Sequence, residues 1–298
     1  MRIDVHQHLW TEGLCAALAR RTSPPRLRRR STGWELELAG EPPFALPGAP
    51  DDPAERAAGL IAQGVDRAIV ALSAALGVEA LPPDEARAVV DAWHEDAAAL
   101  PPELPAWGAV ALGDAQPGDV DALLDRGCAG LCLPATALGT PDALDRAGGL
   151  LERLAARDAP LFVHPGPPPP GAWLPPLTAY VASLSSAWIA WAVHGRPQHP
   201  TLRVLFAALA GLAPLHGERL AARGEPRAAE RAAADERTFL ETSSYGPRAI
   251  EAVGAAVAGG TLVHGTDVPY AAPRLPPEDV RAAMLERNPD RLLGHPNG

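Results

Sequence analysis

The chain has 298 residues, 47% of them apolar, with a formal charge of −10 and three cysteines. That length supports a sizeable core in one large α/β domain or two smaller ones. With no run near the roughly 18 uncharged apolar residues of a membrane span, and with an acidic balance that disfavours nucleic acid, the partner to expect is a small molecule. All 26 cationic residues are arginine, which rules out Schiff-base lysine chemistry, a phosphate-loop lysine and a carboxylated lysine bridging two metals. Any metal centre is therefore expected to be mononuclear. Cys15, Cys128 and Cys132 form no even framework, so a reducing cytoplasm and buried packing thiols are expected. The N-terminus lacks the basic-then-apolar pattern of a signal peptide.

The first predicted strand, Ile3-Asp4-Val5-His6-Gln7-His8, ends on two histidines spaced i, i+2. Side chains two apart on a strand share a face, so His6 and His8 can converge on one ion. A helix over 14–21 leads into residues 22–52, rich in Pro, Gly and Arg, where Gly33-Trp34-Glu35-Leu36-Glu37-Leu38 alternates like a half-exposed hairpin strand. The run Arg26-Leu27-Arg28-Arg29-Arg30 reads as loop charge, or as a patch that meets an acidic substrate or a neighbouring subunit. From residue 53 helices alternate with apolar strands. Strands are predicted at 67–72, 107–112, 129–133, 161–164, 202–207, 238–242 and 261–267; helices at 53–63, 84–99, 119–126, 142–156, 177–193, 215–235 and 247–258, with a terminal helix pair beyond. Near-continuous apolar strands are buried on both faces, which means a parallel sheet under helices. Eight such units predict one (β/α)8 TIM barrel over residues 1–298, with a small hairpin-bearing insert (22–52) after strand one. An open doubly wound sheet is disfavoured, because no Gly-x-Gly-x-x-Gly follows the first strand.

In a barrel the C-terminal strand ends surround one mouth. Strand one ends in His6 and His8, strand five in His164-Pro165-Gly166, and strand eight in Gly265-Thr266-Asp267-Val268-Pro269. Three imidazoles and one carboxylate make a mononuclear site suited to Zn²⁺, or else Mn²⁺ or Fe²⁺. His264, by strand alternation, faces away from Asp267 and packs between barrel and helices; His94, His194, His199 and His295 read as structural or solvated.

With these motifs in place, the chain resembles the amidohydrolase superfamily, specifically the amidohydrolase-related branch that contains aminocarboxymuconate-semialdehyde decarboxylase, other non-oxidative decarboxylases and related hydrolases. The similarity rests on Asp4-Val5-His6-Gln7-His8, Phe162-Val163-His164-Pro165, Gly265-Thr266-Asp267-Val268-Pro269 and the closing Asn288-Pro289-Asp290-Arg291-Leu292-Leu293. It implies a metal-dependent enzyme and a homodimer. One departure stands out. The family's strand six ends in a histidine that helps activate metal-bound water; aligning Arg203-Val204-Leu205 and Gly211 places Ala208 there, and a methyl group accepts no proton.

The leading expectation is a mononuclear metal-dependent hydrolase of an amide, lactone or ester, with His6, His8, His164 and Asp267 on the metal. Asp267 is the expected general base, and His216, after strand six, is a candidate to stand in for the missing histidine. Trp10, Glu12, Trp34, Ser243 and Ser244 are candidate substrate-binding residues; the two serines equally suit a helix cap. The alternatives are non-oxidative decarboxylation of a small aromatic or unsaturated acid at the same site, and a homologue that binds metal or ligand but no longer turns over.

Overall fold

The strand that carries the paired histidines, β1 (Ile3–His8), is buried along its whole length, as a strand between a helix layer and a barrel interior must be. In this computed structural model, which describes residues 1–31, 33–46 and 48–294, the insert strands β2 (Arg26–Arg30), β3 (Gly33–Glu37) and β4 (Phe44–Leu46) follow. After them come β5 (Arg67–Ala71), β6 (Leu131–Pro134), β7 (Leu161–His164), β8 (Val204–Phe206), β9 (Thr238–Glu241) and β10 (Leu262–Val263). β1 pairs in parallel with β5, and β6 to β10 pair in parallel in chain order.

Residues 105–109 join these two runs. Trp107 N–H donates to the Val70 carbonyl and Val70 N–H to that of Pro105, while Ala129 and Gly108 bond to Ala106 and Gly130. The ring closes where Val5 donates to His264 and His8 to Val268. The fold is the expected (β/α)8 barrel, with one difference. The predicted strand over 107–112 survives only as isolated bridges at Ala106 and Gly108. Pro105 has no N–H to donate, and glycine weakens a strand interior. Phe162, Trp107 and Phe206 fill the principal core, while Trp93, Leu18 and Leu36 belong to a second one that reaches the insert. Among the described residues no helix is long and apolar enough to cross a membrane.

The insert is a three-stranded antiparallel sheet in the order β2-β3-β4, and it corrects the reading of the arginine run. Those residues are a strand, not a loop, and three of the four arginines pair with acids of the neighbouring strand. Arg26 and Arg28 meet Glu37 at 2.6 and 2.5 Å, Arg30 meets Glu35, and Arg29 lies over the Trp34 ring at 5.1 Å. The sequence alternation of Glu35 and Glu37 on β3 is what presents both acids to β2.

One helical prediction also changes. The stretch 215–235 breaks into helices Gly217–Ala222 and Pro226–Ala234, because Gly224 adopts φ +107° and Pro226 cannot continue a preceding turn. After β8 the backbone winds left-handed through Ala208, Leu209, Ala210, Gly211 and Leu212, with φ of 46°, 49°, 53°, 61° and 65°. Only glycine adopts that conformation without steric cost. Tertiary contacts hold the turn. Ala208 N–H donates to Glu241 (2.5 Å), Ser185 Oγ donates to the Gly211 carbonyl (3.2 Å), and a Cβ on Gly211 would lie 2.5 Å from the Val181 carbonyl of the helix Ala179–Ala190. Replacing the half-buried Ala208 by glycine should therefore stabilise the fold by about 1 kcal/mol, read as a higher urea midpoint at unchanged slope; an unchanged midpoint would mean the turn is not strained.

A candidate metal centre at the barrel mouth

β1 reaches the mouth with one residue more than β5 between the pairs Asp4–Ala68 and Gln7–Val70. Such a bulge re-aims side chains at a barrel rim. Asp4, fully buried, accepts from His6 N–H (3.0 Å), Gln7 Nε2 (2.9 Å), Thr266 N–H (3.2 Å) and Thr266 Oγ1 (2.6 Å). It thereby ties the strand that bears His6 and His8 to the turn that bears Asp267. His164 ends β7 two residues after Phe162, whose ring meets His6 edge-on at 4.9 Å and forms the floor. Asp267 sits beyond β10 at φ 61°.

These four side chains converge. The Nε2 atoms of His6 and His8 are 3.0 Å apart, those of His164 and His8 3.2 Å, and Asp267 Oδ1 lies 3.5 Å from His6 Nε2 and 3.1 Å from His8 Nε2. All four ligand atoms fall within 4.8 Å of one another. The other ring nitrogens face acceptors: Nδ1 of His6 meets Glu241 (3.1 Å), that of His8 the Ala71 carbonyl (2.9 Å), and that of His164 the Pro165 carbonyl (2.9 Å). Acceptors at Nδ1 place the proton there and leave Nε2 as a lone pair. With those tautomers three lone pairs and a carboxylate oxygen point at one another, an arrangement that a bound cation, or a proton on His6, reconciles. The four separations of 3.0, 3.1, 3.2 and 3.5 Å are close to the distance between neighbouring ligands at about 2 Å from a central ion, roughly 3.3 Å.

The charges fit the same reading. Burial lowers the pKa of His6, but Glu241 and Asp267 outweigh it and the net shift is upward. Burial, then the neighbouring imidazoles, push His164 well below the usual range. Burial would raise Asp267, yet His6 and His8 bring it down, so it is held as a carboxylate.

Glu241 is the residue that sequence reasoning missed. It ends β9, is fully buried, and accepts from His6 Nδ1, from the backbone N–H of Ala208 (2.5 Å) and Ser243 (2.6 Å), and from Ser243 Oγ (2.7 Å). An acid closing the otherwise apolar Thr238-Phe239-Leu240-Glu241 was the available signal. Partners of this kind orient a metal-binding imidazole and raise its basicity. Glu241→Ala should weaken metal affinity about 10–100-fold, measured by competition with a coloured chelator; wild-type affinity would show that His6 needs no such support.

The cluster opens into a cavity of about 400 Å³ whose walls include Leu36, Leu38, Phe44, Leu184 and Tyr245. Ser243, Ser244 and Ala208 line it. The other predicted site residues are elsewhere. His216 is exposed on the far side of the left-handed turn, and Glu12 is exposed at a helix start. Trp10 is buried in the second core, its backbone tied to Asp51, and Trp34 lies under Arg29; none of the four lines the cavity. Sequence adjacency to His8 misled for Trp10 and Glu12, because the chain turns away into a helix at Glu12. His264 is buried and absent from the cavity wall, His94 accepts from Ala109 N–H, His199 stacks on Trp191 and His194 is exposed; His295 lies outside the described residues. The three cysteines are free, and burial raises their thiols, Cys15 to about 12 and Cys128 to about 11.

No family model and no curated protein matches this sequence, but solved structures match the whole chain. Amidohydrolase II from a structural-genomics effort superposes with a TM-score of 0.74 at 19% identity, covering 99% of this chain and 100% of its own. 5-Carboxyvanillate decarboxylase LigW from Sphingomonas paucimobilis gives 0.73 at 18%, with 98% of each chain covered. The protein has the amidohydrolase fold. 5-Carboxyvanillate decarboxylase from Novosphingobium aromaticivorans, with bound manganese and 3-methoxy-4-hydroxy-5-nitrobenzoic acid, shares this amidohydrolase fold at a TM-score of 0.73 and 16% identity, covering 99% of this chain and 97% of its own.

Proposed function

We propose that the protein is a metal-dependent non-oxidative decarboxylase of a small aromatic carboxylic acid. This departs from the leading expectation of hydrolysis, and the observation that carries it is Ala208. Hydrolysis needs a base to activate water, worth about 10²–10⁴-fold; with a methyl group at 208 and His216 outside the cavity, that task falls to Asp267, which is already one of the four converging side chains. Loss of CO₂ needs no water nucleophile. It needs a held carboxylate, a flat apolar slot for the ring and a proton for the carbon that loses CO₂. Structural neighbours that act on aromatic acids support the same choice.

His6, His8, His164 and Asp267 would hold one divalent ion, which supplies positive charge for a substrate carboxylate when bound. Manganese is bound in three of the neighbouring decarboxylase structures, so Mn²⁺ joins Zn²⁺ as a first choice. Leu36, Leu38 and Phe44 from the insert, with Leu184 and Tyr245, flank the ring and exclude water. Asp267 lines the cavity with Oδ1 toward the imidazoles; as a carboxylate it would take a proton from a substrate hydroxyl or from solvent and pass it to the ring carbon as CO₂ leaves.

The test is direct. Protein reloaded with Mn²⁺ or Zn²⁺ is incubated with a panel of hydroxybenzoates, lactones and aryl amides. Metal-dependent CO₂ release without turnover of the lactones or amides is the expected result; hydrolysis alone would reverse the assignment.

A further inference from the structure

The cavity wall holds a further acidic group besides the four converging side chains. Glu41, in the connection between β3 and β4, lines the cavity, and Tyr180 from the helix Ala179–Ala190 donates to its Oε1 at 2.7 Å. The insert and a barrel helix are thus joined across the cavity by one hydrogen bond. No arginine lines this cavity, and the chain has no lysine. The insert's own arginines are engaged with Glu35, Glu37 and Trp34. Glu41 therefore faces the cavity as a carboxylate with a single neutral donor on it and further acceptor capacity open.

We infer that Glu41, positioned by Tyr180, is a specificity residue that selects a monocarboxylate bearing a hydrogen-bond donor, an amino or hydroxyl group, and rejects a second carboxylate. The inference rests on the decarboxylase reading for the first carboxylate, which occupies the metal end. The remaining end of the substrate then meets an acceptor. A hydroxyl or amino group completes the free lone pairs of Glu41 with a charge-assisted hydrogen bond. A second carboxylate beside Glu41 meets a like charge with no arginine in the wall to offset it among the described residues. A rejecting element of this kind discriminates as effectively as an attractive one.

Calorimetric titration of the Mn²⁺-loaded protein with benzoate, 3-aminobenzoate, 3-hydroxybenzoate and benzene-1,3-dicarboxylate tests it. Wild type should bind the amino or the hydroxy acid at least about tenfold more tightly than benzoate, and the dicarboxylate at least about tenfold more weakly. In Glu41→Gln, checked for full manganese content, the advantage of the donor-bearing acids over benzoate should shrink severalfold and the penalty on the dicarboxylate should largely vanish; Tyr180→Phe should shift both ratios the same way by less. Unchanged ratios in Glu41→Gln, or wild type that binds the dicarboxylate as tightly as the amino acid, would overturn the role of Glu41 while leaving the decarboxylase reading intact. If none of the four acids binds loaded wild type, both fall together.

Discussion

His164→Ala should leave the protein folded and nearly metal-free. Three of the four converging atoms remain, but the imidazole that ends β7 supplies a neutral lone pair with its Nδ1 already committed to the Pro165 carbonyl, and no other side chain reaches its place. Removing support from behind a ligand costs about 10–100-fold in affinity, so removing the ligand should exceed that. The same variant should lose metal-induced stabilisation, which reaches about 2.7 kcal/mol when metal stands at 100 times its dissociation constant. Metal analysis after gel filtration and thermal melts with and without Mn²⁺ provide the readouts. Asp267→Asn separates the roles further. The amide keeps a coordinating oxygen but cannot shuttle a proton, so it should retain more metal than His164→Ala while CO₂ release falls at least about 100-fold. Full turnover in Asp267→Asn would remove Asp267 from the chemistry.

The second large effect concerns stability and lies away from the site. Glu79, in the short turn Val78–Ala80 after β5, is fully buried, and neither carboxylate oxygen has a partner among the described residues. Burial pushes its pKa from 4.5 up to about 8. Below pH 4.5 both the folded and unfolded chains keep the proton, and stability is full. Between that point and about pH 8 the unfolded chain releases a proton that the folded one retains, so stability falls by about 1.4 kcal/mol per pH unit. Above pH 8 both forms are ionised and the loss levels off. Glu79→Gln, neutral at every pH, should match wild type near pH 4.5 and exceed it by a few kcal/mol at pH 8. Urea unfolding of the pair at pH 5, 6.5 and 8 measures this; parallel profiles would mean that Glu79 finds a partner in solution.

Legibility differed between ligands and lining. The convergence of His6, His8, His164 and Asp267 could be read in the sequence because a parallel barrel places every strand end at one mouth, and the ends were recognisable as apolar runs breaking into His or Asp. Glu241 obeys the same rule and was overlooked only because its partner is an imidazole, not the ion. Glu41 and Tyr180 obey no such rule. They are 139 positions apart, and nothing periodic links a turn in an antiparallel insert to the first turn of a barrel helix. The same blindness operated in reverse for Trp10, Glu12, Trp34 and His216, whose nearness in sequence to ligands, insert or strand six did not carry them into the cavity.

From residue pattern alone came the alternation of strands and helices, hence the barrel, and from it the four side chains that converge at its mouth, whereas the alanine at 208 stood out only against the family resemblance. The barrel and its four converging side chains follow from local periodicity and from a topology that converts strand order into spatial order. The tertiary structure decided the rest: that Arg26, Arg28 and Arg30 pair with Glu37 and Glu35 and no arginine is found in the cavity wall among the described residues, that a left-handed turn holds Ala208 against Glu241, and that Glu41 joins the wall with Tyr180. Each depends on which side chains meet across long separations, and packing alone determines those meetings.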